Sequence, residues 1–474
     1  MSATGPSASG KPSSGAAAQR RPDLDTLYSI NADGSRNYLH PADVSGRWQK
    51  RQTYIWAVLI AIYAGLPWIT IGGHPAIHID LAARHAYLFG LTFTNQDFFL
   101  MFFLVTGGGF ALFVTTALFG RVWCGFACPQ TVFMEGVIRK IERWIEGPRT
   151  TRIRRNEGPW TFDKAWRKIT KNVVFLLIAY LVAHIFLSYF IPIRELLGVV
   201  QRHPGEHMLA FGWTMFFTLI FFIDFAWFRE QTCLIICPYG RLQSALIDED
   251  TIIVGYDAER GEPRSKKKNE GGDCIDCFRC VAVCPTGIDI RNGLQMECLG
   301  CTRCIDACDD IMRKVGKPEG LVRYDSQRAF EGGPKASLAR PRVFLYAILA
   351  LIGVAVATVT IAGRDPFQAN VLRARGVPYT LEGERIRNLY SIHLQNKTDE
   401  PLTLEIEGDT TAKPSIEFLI PQPSVALQPL EDHEAPVFVY LGREDFDSSF
   451  PLELVVTDPE TGESKHLTVT FRGP

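Results

Sequence analysis

Cys274-Ile275-Asp276-Cys277-Phe278-Arg279-Cys280-Val281-Ala282-Val283-Cys284-Pro285 is followed by Cys298-Leu299-Gly300-Cys301-Thr302-Arg303-Cys304-Ile305-Asp306-Ala307-Cys308. Each run repeats the spacing of bacterial ferredoxins that hold two 4Fe–4S clusters. In that spacing three cysteines of one run bind one cluster and the fourth crosses to the other. Cys274, Cys277, Cys280 and Cys308 are therefore expected on one cluster, and Cys298, Cys301, Cys304 and Cys284 on the second. Two-residue gaps let successive thiolates converge on one cube, while the last cysteine, on a short helical turn, points the other way. Disulfide frameworks and zinc sites also use cysteine, but two tandem copies of this spacing argue against both. The chemistry expected of this stretch is one-electron transfer.

Outward from it, 474 residues leave room for about three units. A composition of 47% hydrophobic and 21% charged residues fits a chain that is part membrane and part soluble. The net charge of −1 gives no argument for nucleic acid. All twelve cysteines fall into motifs and none follows Cys308, which suits a reducing compartment for the cysteine-bearing parts. The first apolar run starts near Tyr54, too late for a cleavable signal peptide, and residues 1–23 read as a disordered Ser-, Gly-, Ala- and Pro-rich tail.

Five stretches have the length and apolarity of a membrane helix: about 54–72, 98–120, 172–192, 209–228 and 342–363. Arg47, Lys50 and Arg51 precede the first, and Arg84 alone lies between the first two. Twelve Lys or Arg separate the second from the third, among them Arg121, Arg139, Lys140, Arg143, Arg152, Arg154, Arg155, Arg167 and Lys168. Only Arg194 and Arg202 separate the third from the fourth, and Arg229, Arg241 and Lys266-Lys267-Lys268 follow the fourth. The positive-inside rule then places the N-terminus, the long middle loop and the cluster region in the cytoplasm, and the C-terminus outside. Asp224, near the end of the fourth segment, reads as an interfacial carboxylate rather than a proton relay.

The other four cysteines form two matching motifs, Trp123-Cys124-Gly125-Phe126-Ala127-Cys128-Pro129-Gln130 and Thr232-Cys233-Leu234-Ile235-Ile236-Cys237-Pro238-Tyr239. Each follows a membrane segment directly, so the first four segments read as two duplicated hairpins ending in Cys-x-x-x-Cys-Pro. Proline favours the first position of a helix, which would put Cys128 and Cys237 at helix N-caps where the dipole favours thiolate. After the first motif Val137, Ile138, Ile141, Trp144 and Ile145 share one helical face with charges opposite, the pattern of an interfacial helix. Up to four soft ligands select Cu(I), Zn or iron–sulfur, and the spacing does not choose among them. Structural thiols or disulfides are the alternative. The outer loops carry His74, His78 and His85, then His203 and His207, with His74-Pro75 and His203-Pro204 at matching places. Imidazole suits copper, although loop histidines commonly serve only as polar surface. His184, inside the third segment, is expected to make a core hydrogen bond.

Beyond residue 365 the pattern changes to alternating apolar stretches at Leu389–Leu394, Leu402–Ile406, Ile416–Ile420, Val437–Leu441, Leu452–Val456 and Leu467–Phe471. Turn signals such as Asn396-Lys397-Thr398-Asp399 separate them, the layout of a β-sandwich.

The motifs Val122-Trp123-Cys124-Gly125-Phe126-Ala127-Cys128-Pro129-Gln130-Thr131, Cys237-Pro238-Tyr239-Gly240-Arg241, Cys284-Pro285-Thr286-Gly287-Ile288-Asp289-Ile290-Arg291 and Cys304-Ile305-Asp306-Ala307-Cys308-Asp309 together resemble the cbb3-type cytochrome oxidase accessory proteins, the CcoG/FixG/RdxA family. The resemblance covers all but about the first 40 residues. It departs from ordinary ferredoxins at Asp309, where Pro follows the last cysteine; proline is no ligand, so the cluster assignment stands. It implies an α+β integral membrane protein of the bacterial inner membrane. Five transmembrane helices would be joined by a two-cluster ferredoxin-like cytoplasmic domain and a periplasmic immunoglobulin-like β-sandwich. The expected boundaries are a tail over 1–46, a four-helix membrane domain over 47–229, the second motif and ferredoxin-like domain over 230–341, the fifth helix over 342–364 and the sandwich over 365–474. The implied activity is reduction of Cu(II) to Cu(I) for assembly of the oxidase copper centre, with two 4Fe–4S clusters as cofactors and copper as substrate or bound ion. Cys124, Cys128, Cys233 and Cys237 are then the copper-site residues. Expected partners are membrane lipid, oxidase assembly factors or copper chaperones, a cytoplasmic electron donor and a second copy of the chain in a homodimer. Two other readings stay open: a quinol-oxidising relay like the membrane subunits of nitrate and nitrous-oxide reduction, and an assembly scaffold without catalysis.

Overall fold

The computed structural model describes residues 38–94, 97–266, 271–334, 336–337, 339–363, 365–373, 377–410 and 413–474. The expected tail over 1–23, together with Lys267 and Lys268 of the basic run, lies outside them. The chain divides into two compact units, one from residues up to 59, 113–176 and 222–343, the other from 60–112, 177–221 and 344–474.

Among the described residues four helices are long and apolar enough to cross a membrane: Phe99–Phe119, Phe162–Leu187, Gly205–Phe228 and Pro341–Ala362. They correspond to the second to fifth predicted segments. The first departs from expectation. Its helix runs Arg47–Gly65, polar in the first two turns, and gives way to a 3₁₀ turn over Leu66–Trp68. Strand Thr70–Ile71 then folds back on His74–Pro75. Pro67 has no amide hydrogen to continue an α-helix, and Gly72 and Gly73 make the reversal at φ 61° and 84°.

In the first unit the antiparallel pair Ile252–Tyr256 and Val322–Ser326 backs helix Arg303–Val315 and the short turn Arg279–Ala282. Val254, Ile290, Ile305, Met312, Leu321 and Val322 form the core with Cys274 and Cys280. The chain ahead of the first helix seals this core: the Ala42 amide donates to the Ala282 carbonyl at 2.7 Å. The amides of Trp48 and Gln49 donate to the Asp306 carboxylate at 3.2 and 2.7 Å. Asp306 thus caps helix Arg47–Gly65 from the far side of the cluster region, where amides lack intrahelical partners and the dipole favours an anion.

The segment after the first cysteine motif corrects the interfacial-helix expectation. It is a helix over Pro129–Phe133, a π turn over Met134–Ile138 and a helix over Arg139–Glu146. Ile138 and Ile145 are buried, yet Trp144 is 83% exposed, and it is Glu135, Arg139, Glu142 and Glu146 that turn inward. Arg139 pairs with Glu135 at 2.6 Å and with Glu230 at 3.1 Å, and Arg303 with Glu135 at 2.7 Å. Glu142 meets Arg229 at 2.7 Å and Arg152 at 3.1 Å, and Lys171 meets Glu146 at 2.9 Å. Charges are tolerated inside only when paired, and here most counter-ions come from other segments: Arg152, Lys171, Arg229, Glu230 and Arg303.

In the second unit the C-terminal residues form two antiparallel sheets. One runs Glu417–Leu419, Asp432–Gly442, Arg385–Asn396, Phe367–Arg373, with Thr380–Glu382 also on Arg385–Asn396. The other runs Ser424–Leu427, Leu402–Gly408, Phe450–Thr457, Ser464–Phe471. All six predicted strands are present. Phe367–Arg373, Thr380–Glu382 and Ser424–Leu427 are additional. Ile386, Tyr390, Ile392 and Leu394 alternate inward to meet Leu404, Leu454 and Phe471. Within the same unit two membrane helices cross at glycines: a Cβ on Gly353 would stand 3.0 Å from the Gly107 Cα. Such small-residue crossings let helix backbones approach closely in lipid.

Candidate iron–sulfur and thiol site

Both Cys-x-x-x-Cys-Pro motifs fold as expected at their second cysteine: Cys128 caps helix Pro129–Phe133 and Cys237 caps helix Pro238–Leu246, each with proline at the helix start. The two motifs interlock. Thr116 and Tyr239 share a hydroxyl hydrogen bond at 2.7 Å, and the Cys124 thiol donates to Gln243 Oε1 at 3.3 Å. Asp224 accepts from Gln130 Nε2 of the first motif at 3.1 Å and from the Thr232 hydroxyl ahead of the second. One carboxylate thereby holds both loops.

The four thiols are electrostatic neighbours. Burial pushes Cys233 well up, and Cys128, Cys124 and Cys237 add to it. Burial likewise raises Cys124 to about 11, against the pull of Arg121. The thiolate expected at Cys128 is not favoured, because burial raises its pKa and the amides of Thr131 and Gln130 only partly offset this. Among the described residues no three His, Cys, Asp or Glu side chains are gathered to hold a single metal ion.

The eight clustered cysteines line two cavities. One is bordered by Cys284, Cys298, Cys301 and Cys304 with Pro285, Ile288 and Thr302; the other by Cys274, Cys277, Cys280 and Cys308 with Phe278 and Met312. Each predicted set of four thus shares one cavity, and Cys280 also borders the first. The backbone is built in duplicate: Asp276 and Phe278 flank Cys277 at φ 50° and 54°, as Gly300 and Thr302 flank Cys301 at φ 65° and 62°. Alternating left- and right-handed residues turn successive amides inward and form the concavity typical of anionic iron–sulfur sites. Accordingly, the Gly300 amide binds the Cys298 sulfur and the Arg303 amide that of Cys301, opposing burial that lifts these thiols to about 11 and 12. A phenylalanine in the left-handed region costs about 1–3 kcal/mol, a strain this loop carries at Phe278. All twelve cysteines are free of disulfides. Four thiols on one cavity, with backbone amides on the Cys298 and Cys301 sulfurs, suit a 4Fe–4S cube.

The thiol pair and the second cavity meet directly. Gly125 lies on the Gly300–Cys301 backbone, and buried Gln52 donates to the carbonyls of Gly125 at 2.7 Å and Cys301 at 3.4 Å. Arg121, just ahead of the first motif, donates to the carbonyls of Met296 and Gly240 and lowers the pKa of both Cys124 and Cys298 against burial. The sequence reading did not single out Gln52, and it used Arg121 only as topogenic charge. The adjacency of Arg121 to Trp123-Cys124 was the one available signal.

The histidines do not follow the duplication. His74, His78 and His85 gather around Tyr87, with ring centroids 3.9, 5.8 and 6.4 Å away, on a small sheet of Ile77–Asp80, His85–Leu88 and Leu91–Phe93. His203 instead caps a 3₁₀ turn, accepting from the Gly205 amide. His184 Nδ1 bonds the Tyr180 carbonyl of its own helix at 2.9 Å, an exposed local contact and not the core hydrogen bond expected.

Comparison with known proteins agrees with this geometry. Residues 228–327 match a 4Fe-4S dicluster domain, residues 100–148 a 4Fe-4S binding domain, and residues 357–474 the Ig-like fold at the C-terminus of FixG. The protein RdxA of Cereibacter sphaeroides is 38% identical over 403 residues, covering 81% of this chain and 85% of that one. The nitrogen fixation protein FixG of Rhizobium meliloti is 31% identical over 512 residues, 96% and 97% of the two chains. RdxB of C. sphaeroides is 35% identical over 482 residues, 95% and 99%. Fold and site define an iron–sulfur oxidoreductase carried on apolar membrane helices. The chain belongs to the FixG/RdxA family.

Proposed function

We propose that this protein reduces Cu(II) to Cu(I) at the Cys-x-x-x-Cys-Pro thiols, using electrons held at the two cysteine-lined cavities. The observation that carries the reading is the contact of Gly125 with Gly300 and Cys301, which sets Cys124 beside the Cys284–Cys298–Cys301–Cys304 cavity. When bound there and at Cys274, Cys277, Cys280 and Cys308, 4Fe–4S clusters store one electron each and release them singly. Thiolates prefer Cu(I) to Cu(II), so capture by Cys124, Cys128, Cys233 or Cys237, each bound thiol giving up its proton to water, makes the reduction more favourable. Two thiolates suffice for Cu(I), so a preformed cage is not required. Each Cu(II) takes one electron and leaves as Cu(I).

The loop charges support a cytoplasmic N-terminus and cluster region, five inner-membrane spans counting the helix from Arg47, and an outer sandwich. On that face the sandwich would meet oxidase assembly factors or a copper chaperone. Protein purified anaerobically and reduced with dithionite is mixed with Cu(II) in a stopped flow. Rapid reoxidation with Cu(I) appearing, lost in Cys124→Ala/Cys233→Ala, is expected. Reoxidation indifferent to that variant overturns the reading.

A further inference from the structure

A third cavity adjoins the same site. It is lined by Phe119, Arg121, Ile253, Met296, Cys298 and Tyr324 among others and has a volume of about 130 Å³. An engineered apolar cavity of about 150 Å³ takes one benzene ring, so this space holds one six-membered ring with its substituents at the open side. Three features constrain the occupant. Cys298 borders both this cavity and the neighbouring cysteine-lined one, so an occupant stands next to a redox group. Phe119 is the last residue of a membrane helix, and Phe119, Leu294 and Met296 are 43%, 41% and 55% exposed, giving an apolar rim at the membrane end of the unit. The polar side chains are few and each is held by the protein: the Arg121 guanidinium on the carbonyls of Met296 and Gly240, the Gln295 amide on the Asp289 carbonyl, and the Tyr324 hydroxyl, which donates to Gly300 O at 3.0 Å. An apolar ring pocket with a few fixed polar groups, open toward lipid and backed by a redox site, defines a lipid-soluble aromatic electron carrier.

We infer that this cavity binds the head group of a membrane quinol, and that the quinol is the reductant for the function proposed above. The inference rests on that reading only in requiring the cysteine-lined cavities to carry clusters. The balance is simple. One quinol loses two electrons and two protons and leaves as quinone. One electron goes to each cysteine-lined cavity, passing between them where Cys280 borders both. The two protons leave to bulk water. Arg121 places a positive charge beside the ring and favours loss of the hydroxyl protons.

Two measurements test this on the full-length protein in lipid nanodiscs. An azido-benzoquinone is photolysed with the protein and the labelled peptides are mapped. Label on residues 119–121, 247–254, 294–300 or 324, displaced by excess decylubiquinol, is expected; label elsewhere overturns the site, and this readout needs no turnover. Anaerobic decylubiquinol or menadiol is then added to oxidised protein and the loss of visible cluster absorbance followed. Met296→Trp, which fills the mouth, is expected to slow this by about tenfold or more, equivalent to about 1.4 kcal/mol. Dithionite must still bleach the variant's clusters fully, which reports that they are intact. Quinol reduction at an unchanged rate in the variant sinks the inference. If quinol fails while dithionite-reduced protein still reduces Cu(II), the cavity assignment falls and copper reduction stands. If quinol reduces the clusters and Cu(II) does not reoxidise them, the reverse holds.

Discussion

Gly125 and Gly300 touch backbone to backbone: a Cβ built on Gly125 would lie 2.7 Å from the Gly300 carbonyl oxygen and 3.0 Å from the Cys301 Cα. No side chain fits between the thiol motif and the cysteine loop. Gly125→Ala therefore has to push the loops apart, at a cost of about 1–3 kcal/mol. The expected result is normal iron and sulfide content with at least severalfold slower reoxidation by Cu(II), measured by stopped flow. An unchanged rate would show that electrons leave by another route.

The inward charges beneath the motifs set a second test. Burial alone would raise the Glu142 pKa, but Arg229, Lys171 and Arg152 hold it well below the usual carboxylate range. Glu142→Gln leaves Arg229 and Arg152 buried without their shared anion and should cost about 3–5 kcal/mol. A large drop in Tm in detergent is the readout. A Tm within a degree or two of the parent would mean the network is dispensable.

His40 supplies a pH dependence. Burial lowers its pKa to about 4, with Arg152, Arg229 and Arg139 adding to the effect and Glu142 opposing it. The unfolded chain takes up this proton near pH 6.5, the folded chain only near 4. Stability therefore falls as pH drops from about 6.5 to 4, because the unfolded state binds more protons in that window. Glu142 acts in the same sense, its contribution fading only below the ordinary carboxylate pKa near 4. Thermal unfolding of the parent and His40→Gln across pH 4.5–7.5 should show a shallower slope in the variant; parallel curves would rule His40 out.

Where the two membrane helices cross, Gly353→Ala presses on the Gly107 backbone and Gly353→Leu cannot be accommodated without separation. A graded loss of Tm, modest for Ala and about 1–3 kcal/mol or more for Leu, is expected. Equal stability of all three proteins would show the crossing is not tight.

Much of this molecule is written in local patterns. The cysteine spacings gave both cavity sets because ligand convergence is a short-range property, and Leu389–Leu394 or Leu467–Phe471 announced strands because one face is apolar. The errors share a cause. The stripe through Ile138 and Ile145 was read as the apolar face of an interfacial helix with its charges facing water, but Glu135, Arg139 and Glu142 are buried by partners about 90 to 170 residues away, including Glu230 and Arg303. The thiolate expected at Cys128 followed from its helix cap, which is local, and was reversed by burial, which is not. Gln52 shows no signal at all, since its two acceptors lie 73 and 249 residues away.

The Asp306 cap on the first helix has a consequence for biosynthesis. Its acceptor lies 257 residues downstream of the Gln49 amide it satisfies. At about 5–20 residues per second, roughly 13–50 s separate the two on the ribosome. The helix from Arg47 must therefore be made uncapped, and its final seating waits on the second cysteine run. Cofactor loading and anchoring of the amino-terminal segment become a single late event. A chain deprived of iron would be expected to keep that segment open to proteases long after its membrane helices are in place.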